Sequence, residues 1–529
     1  MRCMRKVFAA LLCCSAIVAF AQQHPRDGEI HDADTKAWWH TTEFLSSDAM
    51  EGRDTGSAAY QRAAEYVAGR MKAAGLQPAG ENGGYFQTVP MHEVDVVAKG
   101  SSFVVKRDSG EEIPLGFLQE ITTAASTEYL RSGSGQLVFR GYCGKEEMHD
   151  VEGKVVLCFG TQRQGLPSGA ERLNNVRNSG ARGMISIDDP YFTIEPPRWP
   201  WAYARSVTLK EQGTVPIVDH APWPMLPPMR MSAAAFTKLL AGTGHDAAAI
   251  LKTGGAKEKL ESFDLPLTFT AKIELAEKDI SSPNVLAALP GSDPALKDEY
   301  VVVAAHLDGY GYGTPVKGDN LYNGALDDAA YVALLLQYAD DVKAGKLPRP
   351  KRSVLICAFT GEEKGLLGST WFVEHPTVPK DKLIADINLD QLRPLFPLHI
   401  LTVPGIDLTS LGQIAREVAA KQHIELREDR EPERGLLRRA DNWPFLRAGI
   451  PAIGFVFGFD PGTESERRYR EWYEVRYHRP QDDVTQPMDF EAAKDFNEFF
   501  YRLTEAVADA PGRPVIYPRT GGSRTSGPQ

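Results

Sequence analysis

The sequence predicts an α/β protein with a mixed, largely parallel central sheet flanked by helices and a β-rich domain inserted into it. From about residue 99 to 270, short β-like runs alternate with turns rich in Gly, Pro and aromatic residues. In residues 271–510, apolar strand-like runs alternate with helical patterns, which is typical of a sheet whose strands are connected by helices. Residues 30–98, with helical periods over 37–76, are expected to complete the central domain.

The individual elements follow from the spacing of apolar residues. Strand-like runs occupy residues 103–105, 136–139, 154–159, 299–305, 353–359 and 384–389. Helical periods beyond residue 100 predict helices over residues 171–179, 328–344, 366–375, 408–421, 443–448 and 492–508.

The two ends of the chain differ from the rest. A basic start is followed by an apolar run over residues 7–20 and by the small-x-small site Ala19-Phe20-Ala21. This pattern predicts a signal peptide over residues 1–21, since a membrane anchor needs about 20 apolar residues. No later run is long enough to span a bilayer, so we expect a soluble protein, secreted or periplasmic. Residues 511–529, rich in Gly, Ser, Arg and Pro, are expected to be disordered.

Charge and cysteine content exclude several classes of protein. The net charge of −11 becomes −14 once the three basic residues of the signal peptide are removed, which argues against a general nucleic-acid binder. Cys143 and Cys158 flank a predicted turn and could pair after export, or both could stay reduced. Cys357 lies in an apolar strand and is best interpreted as a small core residue. Nothing in the sequence indicates the oligomeric state.

Residues that commonly bind metals follow the predicted strands. His306 ends one apolar run, Glu362 and Glu363 follow a second, and Asp390 follows a third. The carboxyl ends of parallel strands meet at one edge of a sheet, where α/β proteins place their sites. Histidines and carboxylates meeting there suit zinc-like ions.

Each of these residues also has an ordinary structural interpretation. Asp327 and Asp328 stand at a predicted helix start, where Asp is favoured as an N-cap. Adjacent carboxylates such as Glu362 and Glu363 repel each other, so this pair favours function, with one side chain binding metal and the other acting as a general base. His478 lies in a loop rich in turn formers, and its spacing alone would not distinguish it from a solvated histidine.

Taken together, five motifs in order resemble the M28 family of co-catalytic zinc metallopeptidases, which includes aminopeptidases and glutamate carboxypeptidases. They read His306-Leu-Asp308, Gly324-Ala-Leu-Asp327-Asp328, Glu362-Glu363-Lys-Gly-Leu-Leu-Gly-Ser369, Asp390 and Tyr477-His478-Arg-Pro-Gln-Asp482. Residues 43–53 and 74–78 resemble the N-terminal helices of the family. Residues 125–255 resemble an inserted protease-associated (PA) domain.

The resemblance implies a zinc exopeptidase fold, peptide substrates and two Zn²⁺ ions per chain. One ion would be held by His306, Asp327 and Asp390, and the other by Asp327, Glu363 and His478. Glu362 would be the general base for a water that bridges the metals, and Asp308 would orient His306.

The resemblance leaves the activity open. An aminopeptidase is the first expectation. A carboxypeptidase acting on acidic peptides would need an arginine cluster at the cleft, for which the candidates are Arg393, Arg427, Arg430, Arg434, Arg438 and Arg439. A receptor-like protein without metals is the non-enzymatic alternative. The segment Ala440-Asp441-Asn442 stands where the family commonly has Ser-Asp-His, which leaves substrate recognition open.

Overall fold

A computed structural model describes residues 24–210, 224–390 and 393–518 of the chain. The predicted signal peptide and residues 519–529 of the predicted tail lie outside the described residues. None of the described helices is long and apolar enough to cross a membrane.

The described residues form helices at most of the predicted positions. They are α1 (Ala33–Leu45), α2 (Ala58–Ala73), α3 (Gly169–Asn178), α4 (Ala233–Leu240), α5 (Ala247–Gly255), α6 (Ala330–Lys343), α7 (Leu367–Glu374), α8 (Leu411–Lys421), α9 (Asn442–Arg447), α10 (Glu464–Val475) and α11 (Phe490–Asp509). Polar side chains start several of them: Asp32, Ser57 and Asp489 each accept a hydrogen bond from a backbone N–H of the first turn.

Helices α4, α5 and α10 were not predicted. Helix α10 was missed because Arg and Glu dominate its sequence. Its apolar side is confined to Tyr469, Trp472 and Tyr473, which are buried at helical spacing. Charge pairs four residues apart, such as Arg470 with Glu466, were the available signal.

The strands fall into two large sheets and two small ones. They are β1 (Gln77–Pro78), β2 (Phe86–Val96), β3 (Ser102–Arg107), β4 (Glu112–Pro114), β5 (Ile121–Thr123), β6 (Ser132–Arg140), β7 (Val155–Gly160), β8 (Gly183–Asp188), β9 (Arg205–Leu209), β10 (Met229–Met231), β11 (Ser262–Lys272), β12 (Leu275–Leu289), β13 (Tyr300–His306), β14 (Gly311–Val316), β15 (Asp319–Tyr322), β16 (Ser353–Phe359), β17 (Leu383–Asn388), β18 (Ile400–Thr402), β19 (Glu425–Arg427), β20 (Ala452–Gly454) and β21 (Val456–Phe457).

The central sheet has the order β20-β17-β13-β16-β12-β2-β9, with β1 paired to β12. Strands β20, β17, β13 and β16 are parallel, whereas β12, β2 and β9 pair antiparallel. The mixed sheet is therefore confirmed, but the prediction that it is largely parallel is wrong. Only four of its eight strands are parallel. The fully buried runs of β13 and β16 explain their continuous apolar sequences, because helices cover both faces.

The second large sheet, which we call the insert sheet, has the order β4-β3-β11-β6-β7-β8-β10-β5 and lies within residues 102–272. It has a hydrophobic core of its own that includes Phe139, Leu157 and Phe269. A disulfide joins Cys143 to Cys158, so these two cysteines are paired rather than reduced. Strand β9 lies between β8 and β10 in sequence but belongs to the central sheet, where it pairs with β2.

Two smaller sheets, β14-β15 and β19-β18-β21, lie in the second half of the chain. The described part of the predicted tail differs from the expected disorder. Val515 and Tyr517 exchange backbone hydrogen bonds with Ser410 and Leu408, and Arg513 pairs with Glu299.

Candidate metal centre

The predicted ligands converge on the carboxyl ends of the parallel strands. His306 is the last residue of β13, Glu362 and Glu363 follow β16, and Asp390 stands two residues after β17. The neighbouring strands β16, β13 and β17 are parallel, so their ends meet at one edge. Two further ligands come from outside the sheet: Asp327 from the turn before α6, and His478 from the loop after α10.

Asp327 lies between the two histidines. Its Oδ1 is 3.3 Å from Nε2 of His306, and its Oδ2 is 3.3 Å from Nε2 of His478. The same nitrogen of His478 lies 3.3 Å from Oε2 of Glu363. One carboxylate with an oxygen directed at each histidine has the arrangement of a ligand shared by two ions.

Two groups of side chains have ligand atoms that all lie within 4.8 Å of one another. One contains His306, Asp327 and Glu363, and the other contains His306, Asp328 and Asp390. Asp328 also accepts the backbone N–H of His306, at 3.2 Å. The structure therefore adds Asp328 to the carboxylates around His306, whereas the sequence motif that contains Asp328 gave it no ligand role.

The chemistry of these donors fits a cation. Four of their buried atoms have no hydrogen-bond partner within the described residues: His306 Nε2, Asp327 Oδ2, Glu363 Oε1 and Asp390 Oδ2. Buried polar atoms without partners cost free energy unless another group satisfies them.

The charges of the site act on its histidines in opposite directions. Burial lowers the pKa of His306, but Glu362 and Asp328 outweigh it and hold that pKa well above its usual value. Burial and the charge of Arg198 lower the pKa of His478 to about 3. The field is therefore strongly negative at His306, whereas His478 is a neutral imidazole suited to bind a metal.

Glu362 lies beside His306 rather than between the two histidines, with its Oε2 3.8 Å from Nε2 of His306. Its side chain is 10% exposed. Burial raises the pKa of Glu362 well above its usual value, with further contributions from Asp390 and Glu363. A raised pKa makes a carboxylate a better proton acceptor near neutral pH.

Asp308 lies behind both His306 and Glu362. Its backbone carbonyl accepts a hydrogen bond from His306 Nδ1 at 3.0 Å, while its carboxylate is 3.8 Å from that nitrogen. The carboxylate accepts the backbone N–H of Glu362 at 3.1 Å and the hydroxyl of Thr55 at 2.9 Å. Asp308 thus contacts His306 through its main chain and Glu362 through its side chain.

Asp482 holds the turn that carries Asp327. Its carboxylate accepts the backbone N–H groups of Leu326 and Asp327, both at 3.0 Å, and Gln486 donates to it at 2.6 Å. The loop after α10 thereby fixes the turn before α6.

Arg53 is fully buried and links three parts of the site. Its guanidinium donates to the carbonyls of Leu45, Leu307, Asn323 and Gly324 at 2.7–2.9 Å. Leu307 follows His306, and Gly324 precedes Asp327 by three residues. The sequence indicates Arg53 only through the N-terminal resemblance, because its hydrogen-bond partners lie up to 271 residues away along the chain.

Aromatic residues connect His478 to the insert. The hydroxyl of Tyr310 lies 2.8 Å from Nδ1 of His478, and its ring stacks on Tyr203. Tyr203 accepts a hydrogen bond from Lys364, the residue after Glu363. Arg479 donates to the carbonyls of Trp199 and Pro200. The loop over residues 199–203 therefore packs directly beside the candidate site.

A cavity of about 270 Å³ lies between this loop and the central domain. Its lining includes Arg198, Arg434, Arg439 and Glu195. Arg439 pairs with Glu195 at 2.5 Å and donates to the hydroxyl of Tyr477, the neighbour of His478. Of the arginines proposed for a cleft, the structure places Arg434 and Arg439 here, whereas Arg427 pairs with Glu425 and Asp460 at the surface.

This combination, a mixed α/β sheet with buried histidines and carboxylates at the ends of its parallel strands, is characteristic of metal-dependent enzymes. Residues 284–504 match the model of Peptidase family M28. The fold is similar to that of an aminopeptidase from Aneurinibacillus sp. strain AM-1, with a TM-score of 0.58 over 92% of this chain and 96% of that one, at 19% identity.

Curated relatives match over shorter stretches. A glutamate carboxypeptidase 2 homolog from Caenorhabditis briggsae is 30% identical over 194 residues, which cover 35% of this chain and 22% of the relative. A probable zinc metalloprotease from Pyrenophora tritici-repentis is 27% identical over 271 residues, 45% of this chain and 59% of the relative. The matches thus span less than two thirds of the length of these relatives.

Proposed function

We propose that this chain is an M28-type zinc peptidase, and that it acts as an aminopeptidase. The observation that carries this proposal is the buried cluster of two histidines and three carboxylates at the carboxyl edge of the parallel strands. The match over residues 284–504 and the similarity to an aminopeptidase fold support the same conclusion.

Two zinc ions would share Asp327. His306 and Asp390 would complete the ligands of one ion, and Glu363 and His478 those of the other. The buried donor atoms without hydrogen-bond partners fit this assignment. When bound, such ions lower the pKa of water and stabilise negative charge that develops on a carbonyl oxygen.

The chain itself supplies the proton transfer. Glu362 is held by the hydrogen bond from its backbone N–H to Asp308, and its carboxylate faces His306. In this position Glu362 accepts the proton of an attacking water and delivers it to the leaving amine. Its raised pKa suits both transfers.

A carboxypeptidase acting on acidic peptides is a second candidate, because Arg198, Arg434 and Arg439 line a cavity beside Tyr477 and His478. Glu195 offsets part of their charge: its own pKa is raised by burial but lowered further by Arg198 and Arg439, so it remains ionised. The cavity is lined by four guanidinium groups and three carboxylates, because Arg230, Asp188 and Asp189 also face it. Asp188 pairs with Arg230, and the arginines around Glu195 are the ones that an acidic side chain or a terminal carboxylate would complement.

We also propose that the chain is exported and that residues 99–270 form a PA-like domain. The disulfide between Cys143 and Cys158 supports export, because such bonds persist in oxidising compartments. The separate sheet and core of the insert support a domain of its own.

Matched peptides distinguish these activities. Each peptide is prepared with a free and an acetylated N-terminus, and with a free and an amidated C-terminus. The proposal predicts that acetylation abolishes cleavage and that amidation does not. The reverse pattern, with a preference for acidic C-terminal residues, would favour the carboxypeptidase. Cleavage of none of the peptides by zinc-loaded protein would favour a receptor-like binding protein.

A further inference from the structure

We propose that Lys364 positions two ligands of one proposed zinc ion, Glu363 and His478, relative to each other. Lys364 follows Glu363 directly, and its side chain is only 4% exposed. The inference rests on the proposed function, since it assigns a role in holding one of the two zinc ions. Lys364 contacts neither substrate nor metal in this role and is therefore a positioning residue rather than a catalytic one.

The ammonium group of Lys364 is anchored on two sides. Its Nζ lies 3.0 Å from Oδ1 of Asp54 and donates a hydrogen bond to the hydroxyl of Tyr203. The other oxygen of Asp54 lies 2.5 Å from Nη1 of Arg205, so Asp54 is also held from strand β9. Lysine is rarely buried unless it is paired, and these contacts supply the pairing. The ammonium group therefore has a defined position, unlike that of a surface lysine.

The same ammonium group reaches the residue that holds His478. It lies 5.2 Å from the centroid of the Tyr310 ring, within the range of a cation–π contact. The hydroxyl of Tyr310 lies 2.8 Å from Nδ1 of His478, and Nε2 of His478 lies 3.3 Å from Oε2 of Glu363. Lys364 therefore joins the two ligands by two routes: through the main chain to Glu363, and through the ring of Tyr310 to His478.

The ligands of the other proposed ion are held in a different way. His306 ends β13 and Asp390 follows β17, so the pairing of these two strands sets their positions. The charge of Lys364 itself matters less, because Asp54 offsets it. Removing Lys364 should therefore weaken the binding of one zinc ion and leave the other unchanged. A lysine that only fastened the loop over residues 199–203 would instead change stability and affect both ions alike.

The test is a measurement of both zinc affinities of the full chain by competition with a chelator. The variants are Lys364→Met, which keeps an unbranched side chain without its charge, and Tyr203→Phe, which removes only the hydroxyl. His478→Gln identifies which of the two dissociation constants belongs to the ion concerned. Lys238→Met is the matched control, because Lys238 pairs with Glu120 and its side chain is 44% exposed.

We expect Lys364→Met to raise the dissociation constant of that ion about tenfold, the lower end of the effect of residues that orient metal ligands. The constant of the other ion should stay within about twofold of wild type. Tyr203→Phe should give a smaller change at the same ion, and Lys238→Met should change neither constant. Peptide hydrolysis by Lys364→Met should fall when zinc is limiting and recover when zinc is saturating.

Two unchanged zinc affinities in a folded Lys364→Met variant would overturn the inference. An equal loss at both ions together with a lower melting temperature would also overturn it, because that result describes a purely structural lysine. Circular dichroism establishes folding, and Tyr203→Phe decides the question if Lys364→Met does not fold. A wild-type protein that binds no zinc would contradict the proposed function itself. Two zinc ions in wild type, with no effect of the variants, would contradict only this inference.

Discussion

At the end of β8 in the insert sheet, the buried carboxylates accept hydrogen bonds from arginines, whereas at the carboxyl edge of the central sheet some buried carboxylate oxygens have no hydrogen-bond partner among the described residues. Asp188 accepts two hydrogen bonds from Arg230, and Asp189 accepts from Arg163 and Thr161. Asp390 and Glu363 each keep a buried oxygen without a hydrogen-bond partner among the described residues.

This difference in hydrogen bonding distinguishes carboxylates that stabilise the fold from carboxylates that could bind a metal. A buried ion pair that is fully hydrogen-bonded can be explained by folding alone. Buried carboxylates that gather around histidines raise one another's pKa, as at Glu363, where burial is the largest cause and the charge of Asp327 the next. The buried Arg393 offsets this only in part, since the pKa of Asp390 is still raised to about 6 by burial and by Asp327. A bound cation would reduce this repulsion, and the proposed zinc ions would supply that charge.

The largest effect on activity is expected when one buried carboxylate is replaced in each of the two regions. Asp327→Asn should lower kcat/KM by about a thousandfold, equivalent to roughly 4 kcal/mol, because both proposed ions lose their shared ligand. Asp189→Asn should leave kcat/KM within about twofold and lower the free energy of unfolding by about 1–3 kcal/mol. Steady-state kinetics and urea denaturation check both results. Similar losses of activity in the two variants would contradict the assignment of a functional role to Asp327 and a structural role to Asp189.

Arg53→Met should have the next largest effect. It leaves three buried carbonyls and one partly buried carbonyl without this donor, and it removes the link between the loops that carry His306 and Asp327. We expect a loss of about 3–5 kcal/mol in unfolding free energy together with reduced activity. Arg62→Met is the matched control, because Arg62 is a surface residue that pairs with Glu51 and should contribute less than about 1 kcal/mol.

Removing the disulfide should affect stability without affecting chemistry. The double variant Cys143→Ser/Cys158→Ser opens a loop with a sequence separation of 15 residues. We expect unfolding of the insert to become easier by about 3 kcal/mol, with kcat/KM unchanged at 25 °C. Thermal unfolding and peptide hydrolysis on the same samples measure both. A fall in kcat/KM would contradict this expectation. It would show that the fold of residues 99–270 positions the site through more than the stacking of Tyr203 on Tyr310.

Tyr310→Phe should give a smaller but specific effect. It removes the hydroxyl that hydrogen-bonds His478 Nδ1 while keeping the ring that stacks on Tyr203. We expect the affinity for zinc to fall about 10- to 100-fold, as for other partners of metal-binding histidines. Competition with a chelator measures the affinity, and Tyr312→Phe is the control because Tyr312 is 55% exposed. Unchanged affinity in Tyr310→Phe would show that the hydroxyl does not orient His478.

The sequence predicts those site residues that directly follow an apolar strand. His306, Glu362, Glu363 and Asp390 were predicted because each follows an apolar strand, and parallel strands place such residues together. His478 has no local signal and was selected only through its motif. The parallel fraction of the central sheet was overestimated, because the long strands β12 and β2 pair antiparallel and their direction does not appear in their composition.

Residues that support the site could not be found in this way. Arg53 contacts carbonyls that are far away in sequence, and Glu195 pairs with Arg439, which lies 244 residues further along the chain. Asp328 was considered as a helix cap, and its position near His306 depends on the turn before α6. Such residues depend on tertiary packing, which periodicity and spacing do not describe.

The central claim is that Glu362 moves protons beside two bound ions without binding them, and the variant Glu362→Gln tests it most directly. Metal content, zinc affinity and kcat are measured on the same preparation, with wild type as reference. We predict that the variant retains two zinc ions at the candidate centre while kcat falls by about a hundredfold or more. Full turnover with both ions retained would contradict the assigned role of Glu362, and loss of an ion would place Glu362 among the ligands.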